Sequence, residues 1–205
     1  MCWKRKQLQY IPLIPPICRP FKCMRGAEVE DYFQWYISHI KERIDYLSQI
    51  SFVTLDYTPT SLVKIWKWFL KVARTQKMSD QDLQLKYREI SAIDENLAKI
   101  VIDADKECLS LETEYIIRDI AMYLGEFFCV NHENIFWAYH TDTKKDSFAN
   151  IPLLTGFVDN NFSPPFRADF EPNHMVGVQA ARILRNASTS HDLLNIYNKW
   201  AKWAE

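Results

Sequence analysis

The chain has few of the residues from which common catalytic sites are built. Only four of its 205 residues are glycine, and the backbone loops that hold phosphate groups depend on glycine. The sequence has no GxSxG, GxxxxGK[ST], GxGxxG or HExxH motif, the signatures of nucleophile elbows, phosphate loops, dinucleotide sites and zinc proteases. These absences argue against nucleotide-dependent enzymes and common hydrolases, and we expect no cofactor.

Long apolar runs and paired cysteines are also missing. No run reaches the roughly 18 apolar residues that span a membrane. The early apolar stretch YIPLIPPI is interrupted by prolines, and no small-residue cleavage site follows it, so it is a poor secretory signal. None of the five cysteines forms a CxxC pair or has zinc-finger spacing. They are Cys2, Cys18, Cys23, Cys108 and Cys129. We therefore expect free thiols in a reducing cytoplasm.

Charge is distributed unevenly along the chain. Residues 1–25 carry six basic residues and no acid, whereas residues 26–205 carry a net charge of −7. The basic, proline-rich leader is either a flexible, poorly ordered tail or a segment that attracts nucleic acid, an anionic membrane surface or an acidic partner. The hydrophobic content of 48% is enough for a core, so residues 26–205 are expected to form a single domain.

The stretch 110–157 organises the predicted fold. Its first half predicts a helix that is buried on most sides, with Ser110 as N-cap and Glu112 and Glu114 in the first turn. Gly125 lies inside this helix, where glycine costs about 1 kcal/mol relative to alanine. Close packing of another element explains it better than a ligand at the backbone.

Helical spacing recurs through most of the remaining chain, and two short segments resemble strands. Helices are predicted over 27–50, 61–74, 83–104, 173–185 and 191–204, and strands over 134–140 and 151–158. Residues 75–82 are expected to turn, and 159–175 to form a loop. In the helix over 83–104, several apolar residues are candidates for burial: Leu85, Tyr87, Ile90, Ile93, Leu97, Ile100 and Val101. The predicted fold class is an α-rich α+β protein, with about six helices packed around a small antiparallel sheet.

Several stretches together resemble one family of proteins. They are EDYFQWYISHIKERIDYL, LDYTPTSLVKIWKWFL, RDIAMYLGEFF, PLLTGF and LLNIYNKWAKW. They are similar to a family of small uncharacterised bacterial proteins, mainly Gram-positive, and the resemblance covers residues 27–203. The family offers no catalytic residues to transfer. Its size and α-rich α+β form are similar to those of immunity proteins, which neutralise secreted bacterial toxins. The resemblance thus implies an immunity-like role.

Candidate chemistry is sparse. His132, Glu133, His140 and Asp142 cluster in sequence around one strand, but the three or four convergent ligands of a metal site are not visible in their spacing. Asp159, Asp169 and Glu171, with Lys144 and Lys145, could form a metal-dependent nuclease site if they met at one sheet edge. The sequence places these acids in a proline-rich loop instead. We predict no catalytic or metal-ligating residue.

The acidic residues have a second interpretation as a binding surface. If they gather on one face, they could mimic the phosphates that a toxic nuclease binds. The candidate partner-binding residues are Asp142, Asp146, Asp159, Asp169 and Glu171. The sequence favours a non-catalytic protein-binding protein, most specifically an immunity-like inhibitor of a bacterial toxin. The alternatives are a metal-dependent nuclease or hydrolase, and a nucleic-acid or membrane-surface adaptor that acts through the leader. We expect a protein partner rather than nucleic acid.

Overall fold

The structure, a computed structural model, describes residues 10–17, 19–104, 106–141 and 148–204. Helices account for 59% of these described residues. The described α-helices are α1 (Ala27–Ser51), α2 (Pro59–Val72), α3 (Asp80–Ser91), α4 (Glu95–Ala104), α5 (Leu111–Asn131), α6 (Pro172–Ala181) and α7 (Asp192–Trp200). The described strands are β1 (Thr75–Lys77), β2 (Glu107–Leu109), β3 (Phe136–Ala138), β4 (Leu153–Asp159) and β5 (Phe166–Phe170). The α-rich α+β prediction is confirmed, with seven helices rather than about six.

Helix α5 lies at the centre, as its apolar pattern predicts. It begins after Ser110, whose side chain accepts a hydrogen bond from the N–H of Thr113. Helices α1, α2 and α6 pack against it, and its fully buried side chains include Ile120, Phe127 and Phe128. Within the described residues, no helix is both long enough and apolar enough to cross a membrane.

Gly125 of α5 is a point of close packing, as predicted. A Cβ atom at this position would overlap the indole ring of Trp137 on β3. The Trp137 ring is fixed by a 2.7 Å hydrogen bond from its Nε1 to Glu126. Glycine therefore allows the three-stranded sheet to approach α5.

The three-stranded sheet has the antiparallel order β3-β4-β5. Trp137 is paired with Leu154 across β3 and β4, and Val158 with Arg167 across β4 and β5. The loop prediction for 159–175 is wrong for β5, and α6 begins at Pro172, one residue before the helix predicted over 173–185. Prolines 164 and 165 suggest a loop, but they precede the edge strand rather than interrupt it, and an edge strand tolerates proline at its start.

A second, two-stranded sheet carries a helical projection. Strands β1 and β2 pair antiparallel, with Thr75 opposite Leu109 and Lys77 opposite Glu107, where the sequence predicted a turn over 75–82. Between them, the single helix predicted over 83–104 is instead two helices. Asp94 breaks it, because its carboxylate accepts hydrogen bonds from the N–H groups of Asn96 and Leu97 at the start of α4, as an N-cap does. We call residues 80–104, which comprise α3, α4 and their connection, the arm.

The described part of the leader, residues 10–17 and 19–25, packs on the domain. Tyr10 and Met24 are members of the hydrophobic core. The Tyr10 hydroxyl donates a hydrogen bond to the carboxylate of Asp119 on α5. Asp119 also forms a buried ion pair with Arg43 of α1, with 2.6 Å between Nη2 and Oδ2. Burial lowers the pKa of Arg43, but the hydrogen bonds and charge of Asp119 outweigh this effect and raise it. A buried pair of this kind fixes the geometry of the groups it joins.

Candidate functional site

The structure describes three of the five acids that the sequence groups as a binding surface, and only one of these three is exposed. Asp142 and Asp146 lie outside the described residues. Asp159 ends β4 and is buried, where its carboxylate accepts hydrogen bonds from the backbone and side chain of Asn161. Glu171 is also buried. Asp169 lies exposed on β5. The expectation that Asp159 and Asp169 are loop residues is therefore wrong.

Glu171 is the N-cap of α6 rather than a surface acid. Its two carboxylate oxygens accept hydrogen bonds from the N–H groups of Asn173 and His174, at 2.9 and 2.5 Å. Burial raises the pKa of the Glu171 carboxyl to about 7, against the opposing effect of these two donors. The carboxyl is therefore close to half protonated at neutral pH.

The histidines of the nuclease or hydrolase alternative do not converge on a common site. His140 Nε2 lies 2.9 Å from Asp169 Oδ2, which joins the end of β3 to β5. His132 Nε2 instead lies 3.2 Å from the Tyr197 hydroxyl of α7. Across the described ranges, no group of three or more His, Cys, Asp or Glu residues is arranged to hold a metal ion. Lys144 and Lys145 lie outside these ranges.

The arm exposes apolar side chains that the body does not cover. The predicted burial of Leu85, Ile93 and Leu97 is wrong: these side chains are 50%, 86% and 47% exposed. Helix α3 contains no buried residue. None of the arm's described apolar side chains belongs to the hydrophobic core of the body. A helical pattern alone could not reveal this, because it indicates which residues share a face but not what covers that face.

The arm combines this apolar surface with negative charge. It contains six acidic and three basic residues. Its exposed acids lie on both helices and at their connection: Asp80, Asp82, Glu89, Asp94 and Glu95. Between the helices, a shallow cavity of about 290 Å³ is lined by residues that include Leu83, Tyr87 and Ile102. A helical hairpin with both exposed apolar residues and exposed acids is suited to a partner that offers apolar and basic groups.

Free cysteines are found in the body and the leader. Cys23, Cys108 and Cys129 form no disulfide, while Cys2 and Cys18 lie outside the described residues. Burial raises the pKa of the Cys129 thiol to about 12, so this thiol is inert as a nucleophile at neutral pH.

Compared with protein-family profiles, curated proteins and solved structures, the chain matches none.

Proposed function

We propose that this chain is a non-catalytic protein-binding protein, most specifically an immunity-like inhibitor that neutralises a bacterial toxin, and that the arm is its binding surface. The observation that carries the proposal is the exposure of Leu85, Ile93 and Leu97 on a helical hairpin that stands apart from the core.

The apolar side chains of the arm support binding to another protein. Leaving several large aliphatic side chains exposed on one projecting element forgoes about 1.5–3 kcal/mol for each that could be buried. Contiguous exposed apolar surface is typical of protein interaction sites. Helical hairpins can present such residues to a groove or to helices of a partner.

The acidic residues of the arm indicate the charge of the partner. Asp80, Asp82 and Glu89 of α3 and Glu95 of α4 are exposed on the same two helices. Their field favours a basic partner, and nucleic-acid-degrading toxins require basic surfaces to bind their substrate. This keeps the predicted acidic inhibitory surface but assigns it to the arm rather than to the strand loops.

We further propose a cytoplasmic location, which agrees with the free thiols of the described cysteines. The nuclease or hydrolase and the leader-dependent adaptor remain untested predictions. For a nuclease or hydrolase, the structure offers the His140–Asp169 pair. For an adaptor, the leader offers the positive charge of Arg19, Lys22 and Arg25.

The test uses the full chain as bait in a lysate of its source bacterium. The wild-type chain is compared with a variant that carries Ile93→Lys and Leu97→Lys. We expect the wild type to retain one stoichiometric partner, identified by mass spectrometry. The variant should bind the purified partner at least about thirtyfold more weakly, because a buried apolar anchor contributes about 2 kcal/mol or more. Expression of that partner alone should stop growth, and co-expression of the chain should restore it.

Val178→Lys is the matched control. Val178 is a similarly exposed aliphatic residue, 47% exposed, but it lies on α6 in the body. This variant should bind the partner as the wild type does. Equal binding by the arm variant would contradict the assignment of the surface, and a harmless partner would contradict the inhibitory role.

A further inference from the structure

A cavity of about 250 Å³ lies between α1, α5 and the start of α6, away from the arm. Four of its polar lining residues are Tyr32 and Tyr36 of α1, Arg118 of α5 and Glu171. Apolar walls are provided by Phe21, Ile151 and Pro152. Since a water molecule occupies about 30 Å³ in the liquid, the space suits a small molecule rather than a nucleotide or a folded peptide.

The two phenol groups in the cavity have no partner. Tyr32 and Tyr36 are 6% and 4% exposed, and neither hydroxyl forms a hydrogen bond with any described residue. The two hydroxyl oxygens nevertheless remain accessible, because only Arg118 Nε among the cavity's polar atoms is both buried and without a hydrogen-bond partner. Two accessible hydroxyls in one cavity can hydrogen-bond to a bound molecule that displaces water.

Arg118 is a cation that is also incompletely satisfied. Its Nε is buried without a hydrogen-bond partner, and its guanidinium donates to the carbonyl oxygen of Leu13. It forms no ion pair with a carboxylate of the described residues, Glu171 included, although both line the cavity. Arg118 and Glu171 line the same cavity as the Tyr32 and Tyr36 phenols.

We propose that this cavity binds a free α-amino acid with an apolar side chain. The carboxylate of the ligand would pair with Arg118, its ammonium group with Glu171, and the phenols of Tyr32 and Tyr36 would hydrogen-bond between them. Its side chain would contact Phe21, Ile151 and Pro152. A zwitterion places an opposite charge beside Arg118 and beside the ionised form of Glu171 at once, which neither an anion nor a cation of the same size does.

The proposal is tested by calorimetric titration of the full chain with each standard amino acid at millimolar concentration. Acetate and methylammonium are titrated separately as probes with a single charge. We expect saturable binding of at least one apolar amino acid, and at least about tenfold weaker binding of each single-charge probe. The absence of saturable binding by any amino acid would overturn the proposal. Acetate binding as tightly as the best amino acid would overturn it too, because the site would then be one for anions alone.

Variants separate ligand contact from a structural role. Tyr36→Phe removes a hydroxyl that no described residue contacts, so the free variant should melt at the same temperature as the wild type or higher, while amino-acid affinity falls about tenfold. Arg118→Met should weaken binding further. Tyr57→Phe is the control, since Tyr57 is a half-buried tyrosine outside the cavity, and it should bind as the wild type does. Unchanged affinity in Tyr36→Phe would overturn the assignment. The result is independent of the protein partner, because no arm residue lines the cavity.

Discussion

At the scale of single residues, Glu171 combines two roles that oppose each other energetically. Its carboxylate caps α6 through two backbone N–H groups, yet the surrounding protein favours the neutral acid. Tertiary burial has the larger effect, since the pKa of the group rises from 4.5 to about 7. The sequence EPNH indicates the cap, because an acid precedes a proline at the first helical position, but nothing local indicates the burial.

This raised pKa predicts a pH-dependent stability. Between pH 4.5 and 7 the folded protein retains a proton on Glu171 that the unfolded chain has lost, so the free energy of unfolding falls as the pH rises through this window. The full contribution is about 3 kcal/mol. In Glu171→Gln this part of the dependence should disappear, while the loss of one backbone acceptor lowers stability by about 1 kcal/mol at all pH values. Urea unfolding at a series of pH values measures both effects.

The control for this measurement is Glu112→Gln. Glu112 is an exposed acid in the first turn of α5, so its substitution should leave the fall between pH 4.5 and 7 in place. A Glu171→Gln protein with the same pH dependence as the wild type would show that Glu171 is not the group responsible.

At the scale of elements, the contact of α5 with β3 depends on a missing side chain. Gly125→Ala improves the helix propensity of α5 by about 1 kcal/mol. The added methyl group nevertheless overlaps the ring of Trp137, which cannot turn away because Glu126 and Tyr36 hold it in place. We expect the free energy of unfolding to fall by about 1–3 kcal/mol, measured by urea denaturation.

For Gly177→Ala in α6, we expect the free energy of unfolding to rise rather than fall. No atom lies within 4 Å of a Cβ atom built there, so only the helix propensity and the unfolded-state entropy change. This variant should be more stable than the wild type by about 0.5–1 kcal/mol. If both alanine variants shifted stability in the same direction, close packing would not explain Gly125.

At the scale of the whole molecule, the described chain consists of a body with one hydrophobic core and an arm with very few buried side chains. The arm leaves and returns through β1 and β2, and the N–H of Met78 donates to the carbonyl oxygen of Lys106 at 2.9 Å. These two residues are thus positioned as the ends of a two-residue hairpin.

Replacing residues 79–105 with Asn-Gly should therefore leave the body folded. We expect cooperative unfolding with a free energy within about 1 kcal/mol of the wild type, or a melting temperature within about 2–4 °C. The excised protein should also lose the partner captured by the full chain. Loss of cooperative unfolding would mean that the arm is part of the core after all. Calorimetry and near-ultraviolet circular dichroism would distinguish these outcomes.

The sequence by itself determined the long helices, the cap at Ser110, the packing role of Gly125 and the α-rich α+β class, because apolar periodicity and capping are local properties. It did not determine β5, because two prolines mask a short edge strand, or the division of 83–104 into two helices.

Only the tertiary structure decided which apolar faces are covered. Apolar residues recur at helical spacing in both α3 and α5, yet α5 is enclosed by its neighbours while Leu85 of α3 remains exposed. The burial of acidic residues also depends on the tertiary structure. Glu171 and Asp169 are two residues apart, but Glu171 is buried at the start of a packed helix, whereas Asp169 is exposed on an edge strand. Burial depends on contacts between distant parts of the chain, so the arm and the Arg118–Glu171 cavity follow from the fold alone.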